Sequence, residues 1–255
     1  MAETLSAASV RGTYALTLTG QGGRTPLAGI GIISFDGAGR VVGNWQESRP
    51  AGYGERVLTD VVYEARSGVT DNGTGTLSVP GSEQEDGYLA IREVRSSDGD
   101  PVAGELAVIF RSLDGASGAL RTATAVRLPD HTAFSAQSLR GRYVGSALGL
   151  GGQYPVAGFG AVVYDGEGGF SEQNIANIQG DSFRERRFVT GTDRGTYTVN
   201  PDGTGTVAGG GVLFVITRAR LLGDQLIADA YSFIVRDLVP ANGALFTGTV
   251  KRLAD

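Results

Sequence analysis

The chain has 255 residues, 22 basic against 27 acidic, a net charge of −5, no cysteine and one histidine. These counts remove a disulfide framework, a thiol nucleophile and a thiolate metal site. They also leave no basic stripe for nucleic acid and too little histidine for a repeated metal site or catalytic triad.

The chain is written twice. PLAGIGIISFDGAG at 26–39 returns as PVAGFGAVVYDGEG at 155–168, half of its positions identical. SVRGTY at 9–14 returns as SLRGRY at 138–143, DNGTGT at 71–76 as PDGTGT at 201–206, and GALRTATAVRL at 118–128 as GALFTGTVKRL at 243–253. The offset is 129 for the first block (26 to 155), 130 for the third (71 to 201) and 125 for the last (118 to 243). A period this long matches a whole small domain and exceeds any solenoid unit. The expected organisation is a first domain over 1–128, a linker over 129–135 and a second domain over 136–255. The 41 glycines follow no period of three, so they read as turns and bent strands.

In chain order, the first copy predicts strands near 12–18, 28–35, 40–48, 61–69, 74–79, 88–94, 103–112 and 119–128. The second copy predicts the same set at 142–148, 157–164, 170–178, 195–199, 204–208, 212–221, 226–236 and 244–253. Short Gly/Asp turns such as Asp165-Gly166-Glu167-Gly168 join them as hairpins. No segment holds a 3.6 period between helix caps. The expected fold class is all-β, two tandem eight-stranded antiparallel up-and-down β-barrels, since closure removes exposed edges. A single sixteen-stranded barrel is the alternative. An eight-stranded interior is filled by side chains or holds one small ligand.

The N-terminal MAETLSAASVRG lacks a charged n-region and an apolar h-region, and no apolar run approaches the ~20 residues of a membrane helix. The location expected from this is cytoplasmic, with no membrane and no nucleic acid as partner. The oligomeric state is left open.

Candidate chemistry comes from strand alternation, which puts residues two apart on one face. Trp45 and Glu47 share a face with Val41 and Gly43, while Phe170, Glu172 and Asn174 share the matching face of the second copy. A broad apolar wall with a few polar groups is what a ligand-lined lumen requires. Trp45 reads as a core plug or a ligand contact. Glu47 and Glu172 read as solvent-facing carboxylates or as buried acid/base groups. Tyr14 and Tyr143 match, and recurrence in both copies favours a structural role over a substrate-facing phenol. Arg111 and Arg236 also match, reading either as barrel-end partners of Asp114 and Asp237 or as a clamp for an enolate or carboxylate. Asp229, Tyr231 and Phe233 share one face in the second copy alone, against a blander Gly104–Val108. Glu47, Glu172, Tyr231 and Asp229 are therefore the catalytic candidates. Trp45, Tyr14, Tyr143, Asn174, Phe233, Arg111 and Arg236 are the substrate-binding ones.

Weaker features are the run Arg184-Glu185-Arg186-Arg187, expected as a solvated loop or charged edge, and His131 in the linker, a bystander that reaches an interdomain crevice at most. Gly22-Gly23-Arg24 and Gly209-Gly210-Gly211 precede no helix, so neither makes a phosphate loop.

The run L/V-R-G-x-Y, then F/Y-D-G-x-G, then D-G-T-G-T resembles bacterial lipocalin-like (calycin) barrels over 10–128 and 139–253. It is similar in style to the allene oxide cyclase-like barrel group. The resemblance implies a lumen for a hydrophobic or amphipathic small molecule. For the cyclase-like group it implies cofactor-free cyclisation directed by cavity shape, with no catalytic residue carried over. The expected function is thus a cofactor-independent cyclase, isomerase or lyase using no metal. The alternative is a carrier that binds a lipophilic metabolite without changing it.

Overall fold

The computed structural model describes residues 4–22, 26–52, 55–81, 86–97, 99–113, 118–130, 133–151, 155–179, 185–207, 211–236 and 244–254. The first eight strands are β1 (Arg11–Gln21), β2 (Ala28–Asp36), β3 (Arg40–Gly52), β4 (Glu55–Val69), β5 (Thr74–Ser78), β6 (Gly87–Ser97), β7 (Asp100–Leu113) and β8 (Leu120–Arg127). The second eight are β9 (Arg140–Gly151), β10 (Ala157–Asp165), β11 (Gly169–Gln179), β12 (Arg186–Val199), β13 (Thr204–Val207), β14 (Val212–Leu222), β15 (Gln225–Val235) and β16 (Ala244–Arg252). Each set runs antiparallel in sequence order and closes on itself, β8 onto β1 and β16 onto β9. The molecule is two closed eight-stranded barrels, and the sixteen-stranded alternative falls away.

The two compact units are Met1–Asp130 and His131–Asp255. The short linker divides between them for a local reason. Arg127 holds Asp130 at 2.6 Å on the first side, while the Phe134 amide donates to the Pro201 carbonyl at 3.0 Å on the second. His131 lies outside the described residues.

Hairpin chemistry repeats in both units. In the β2–β3 turn, Asp36 Oδ1 accepts from the amides of Ala38 (2.7 Å) and Arg40 (2.9 Å). In the β10–β11 turn, Asp165 Oδ1 accepts from Glu167 (2.7 Å) and Gly169 (2.9 Å). Donated amide hydrogen bonds stabilise the ionised form and hold both carboxyls below their ordinary value. The glycines of these turns sit at φ +76 and +105, and +82 and +107, where a side chain would be strained.

Two details depart from the sequence reading. A short 3-10 turn precedes each barrel, Ala7–Ser9 and Ala136–Ser138, capped reciprocally by Ser6 with Ser9 and by Ser135 with Ser138. The sequence reading saw no helix because one turn carries no period. Strand β12 begins at Arg186 instead of 195, so Arg186 and Arg187 are strand residues. Their register partners, Gln179 and Ile178, extend β11 and need a neighbour along their whole length. Arg186 is fixed there by Asn177 Oδ1 (2.9 Å) and the Pro155 carbonyl (2.7 Å).

Candidate functional site

The interior of the first barrel is filled. Tyr14, Leu16, Leu18, Ile33, Leu77 and Leu106 are fully buried in one cluster around Trp45. The indole lies against Tyr63 (ring centroids 5.7 Å) and Phe110 (6.1 Å). Two glycines make room at this position, one for its backbone and one for the ring. A Cβ on Gly31 would collide with the Trp45 backbone and Cβ, and one on Gly43 would stand 2.6 Å from the indole Cζ3. The Trp45 Nε1–H donates to Glu47 Oε1 at 2.9 Å. Glu47 is completely buried and also faces Arg121 at 3.7 Å, while its Oε2 has no hydrogen-bond partner among the described residues. Trp45 is therefore a core plug that orients a buried carboxylate.

The matching interior of the second barrel is hollow. Register makes the comparison exact: Trp45 lies between Gly31 and Val61, and Asn174 lies between Gly160 and Gly191. The side chains that fill the first lumen are smaller in the second. Asn174 replaces Trp45, Gly145 replaces Leu16, Ala147 replaces Leu18, Gly191 replaces Val61 and Val207 replaces Leu77. What remains is a cavity of about 320 Å³. Its wall includes Phe170, Phe233, Phe246, Val162, Val212 and Val250, and its polar groups include Tyr164, Tyr231, Glu172 and Asn174.

Those four groups are ordered. The hydroxyls of Tyr164 and Tyr231 are 2.8 Å apart, and either can donate to the other. Burial pushes both phenols well above their ordinary value, and the nearby Glu172 carboxylate pushes them further in the same direction. They remain protonated at any physiological pH, so the pair keeps one hydroxyl proton free for another acceptor. Asn174 Nδ2 donates to Glu172 Oε1 at 3.3 Å. Gly191 leaves room for this amide, since a Cβ there would come 2.6 Å from Asn174 Oδ1.

The remaining candidates lie elsewhere. Tyr143 and Tyr14 are pins. Tyr143 donates from β9 to the Ala228 carbonyl of β15 at 2.8 Å, and Tyr14 donates from β1 to the Ala103 carbonyl of β7 at 2.9 Å. Burial pushes each phenol up to about 12. Asp229 does not line the cavity beside Tyr231 and Phe233. A register irregularity pairs Arg218 with Ala230 and Ala219 with Ala228, skipping Asp229, whose carboxylate is held by Arg220 at 2.6 Å. Arg111 and Arg236 are exposed and line no part of the cavity, while Asp114 and Asp237 lie outside the described residues. Sequence reasoning missed Tyr164, Gly145, Gly160 and Gly191. Aligning the two copies position by position, Leu16 over Gly145, Val61 over Gly191 and Phe35 over Tyr164, carries the signal that finds all but Gly160, whose counterpart Gly31 is also glycine.

Among the described residues, no group of three or more His, Cys, Asp or Glu side chains forms a metal site, and no helix is long and apolar enough to cross a membrane. Fold and site define a class, a tandem of closed eight-stranded antiparallel barrels of lipocalin-like form, one packed and one hollow. Comparison with known protein families and with characterised protein sequences finds no match for the chain.

Proposed function

We propose that the second barrel binds one small, predominantly apolar molecule through its lumen, and that the first barrel is its packed companion. One observation carries this reading: the cavity of about 320 Å³ stands where the first copy places Trp45. A volume of this order, walled by rings and aliphatic groups and marked by a few convergent polar atoms, is what small-molecule sites offer. The lipocalin-like, closed eight-stranded form supports the same reading, since a barrel of this size encloses one small ligand. A fold hosts many functions, whereas the cavity is particular to this chain's second barrel.

A second reading, cofactor-free cyclisation or isomerisation of that ligand, rests on one cavity being lined both by Glu172 and by two phenols that burial keeps protonated. A carboxylate beside a phenol donor supplies a base and an acid to one bound molecule, and the apolar wall excludes water and orients it. Here the site would resemble the allene oxide cyclase-like barrels in kind.

Native mass spectrometry of the chain purified from its own host, followed by solvent extraction, tests the binding reading. The expected result is one co-purifying small apolar molecule per chain. A chain that carries nothing and takes up no apolar probe contradicts it. Incubating the extracted ligand's precursor with wild type and Glu172→Gln then separates turnover from storage: an enzyme loses product formation in the variant, and a carrier forms none in either.

A further inference from the structure

The polar equipment of the hollow lumen is unbalanced. Among the described residues, Glu172 is the one charged side chain in its lining, which includes no Lys, Arg or His. Among the described residues its hydrogen-bond partner is Asn174 alone, at a long 3.3 Å. An ionised carboxylate offers about four lone-pair sites, so most of its capacity is unused. Asn174 Oδ1 and the two phenol oxygens add further acceptors. Against these stand few spare donors, one phenol proton, the second Asn174 N–H and the Ser146 hydroxyl, which also accepts.

A ligand that completes this site brings donors and positive charge. The wall suits such a head group, because the aromatic residues Tyr164, Phe170, Tyr231, Phe233 and Phe246 line the same lumen as the carboxylate, and ring faces attract cations. A ligand carboxylate would instead meet Glu172 with no cation to offset it, which costs affinity. A neutral alcohol would satisfy one or two acceptors and leave the charge uncompensated.

We propose that the ligand class of the second barrel is a hydrophobic amine, bound as its ammonium ion with its N–H groups directed at Glu172 and Asn174 Oδ1. The proposal rests on the reading of the lumen as a small-molecule site and adds the chemistry of the head group. An aliphatic ammonium resembles a lysine side chain and stays charged at pH 7, so it offers three donors to the acceptor-rich corner.

Calorimetric titration of the full chain at pH 7 with n-octylamine, n-octanol and n-octanoate separates the terms, because the three share one tail. The expected order is octylamine tightest, at roughly tenfold or more over octanol, with octanoate weakest. In Glu172→Gln the amine's advantage over octanol is expected to fall to within about threefold. Octanoate binding as tightly as octylamine, octanol equalling octylamine in wild type, or an amine preference that survives Glu172→Gln each overturns the ammonium assignment while leaving the lumen as a binding site. Failure of all three probes to bind overturns the lumen reading itself. The wild-type ranking decides the matter even where the variant folds poorly.

Discussion

The bulkiest of the replacements that separate the two barrels is indole for amide, Trp45 against Asn174. The indole is buried among Tyr63, Phe110 and the aliphatic core, so Trp45→Ala leaves a large void and strips the buried Glu47 of its indole donor. The expected cost is about 3–5 kcal/mol in urea unfolding. Asn174 already borders empty space, and Asn174→Ala is expected within about 1 kcal/mol of wild type. Equal costs for the two would show that the lumens do not differ. At the same scale, the matched pins Tyr14 and Tyr143 have pKa values raised by burial to about 12, above the unfolded value of 10.0. The folded state then holds more protons than the unfolded state above pH 10, so stability falls as pH rises. Their contribution is fully present below pH 10 and is lost through the window from 10 to about 12. The denaturation midpoint, followed from pH 9 to 12, is expected to drop across that window in wild type and less in Tyr143→Phe. In that variant, the Ala228 carbonyl loses its phenol donor at a cost of about 1–3 kcal/mol at neutral pH.

Strands show where the sequence was readable. The β2–β3 and β10–β11 hairpins announce themselves, because Asp-Gly-x-Gly sets an aspartate to accept two amides and glycines at positive φ. Alternation of burial marks β10 clearly, whereas β15 is buried on both faces. Alternation fails in β12, where Arg186 to Arg194 are nearly all exposed and no apolar face reports the strand. The cavity was unreadable for a related reason. Gly145 and Gly191 look like flexible or turn residues in one copy, and only against Leu16 and Val61 do they read as missing wall. Tyr231 and Phe233 were legible as lumen residues from their alternation, whereas Asp229 was displaced from that face by a register irregularity that alternation cannot foresee. The element that borders the cavity should also be the looser one. β11 is only half-buried and β12 largely exposed, against the well-buried β2, so amides of β11 and β12 are expected to exchange hydrogen faster than those of β2 and β3. Addition of a bound ligand should slow β11 and leave β3 unchanged, as read by peptide-level exchange. Uniform exchange in both barrels, with no change on ligand addition, would contradict this.

At the scale of the whole molecule, duplication has yielded two copies with one backbone plan and two interiors. The shared parts are those the fold requires: the Asp-Gly turns, the tyrosine pins and the capped 3-10 turns. The divergent parts are lumen side chains, which vary at little cost to strand pairing. The central claim is that this divergence makes one ligand site from two barrels. It is tested most directly by the stoichiometry of an apolar amphiphile bound to wild type and to the double variant Asn174→Trp with Glu172→Gly, which gives the second lumen the Trp45 and Gly43 pattern of the first. The account predicts one molecule bound per wild-type chain and none by a folded double variant. Two molecules per wild-type chain, or undiminished binding by the double variant, would contradict it.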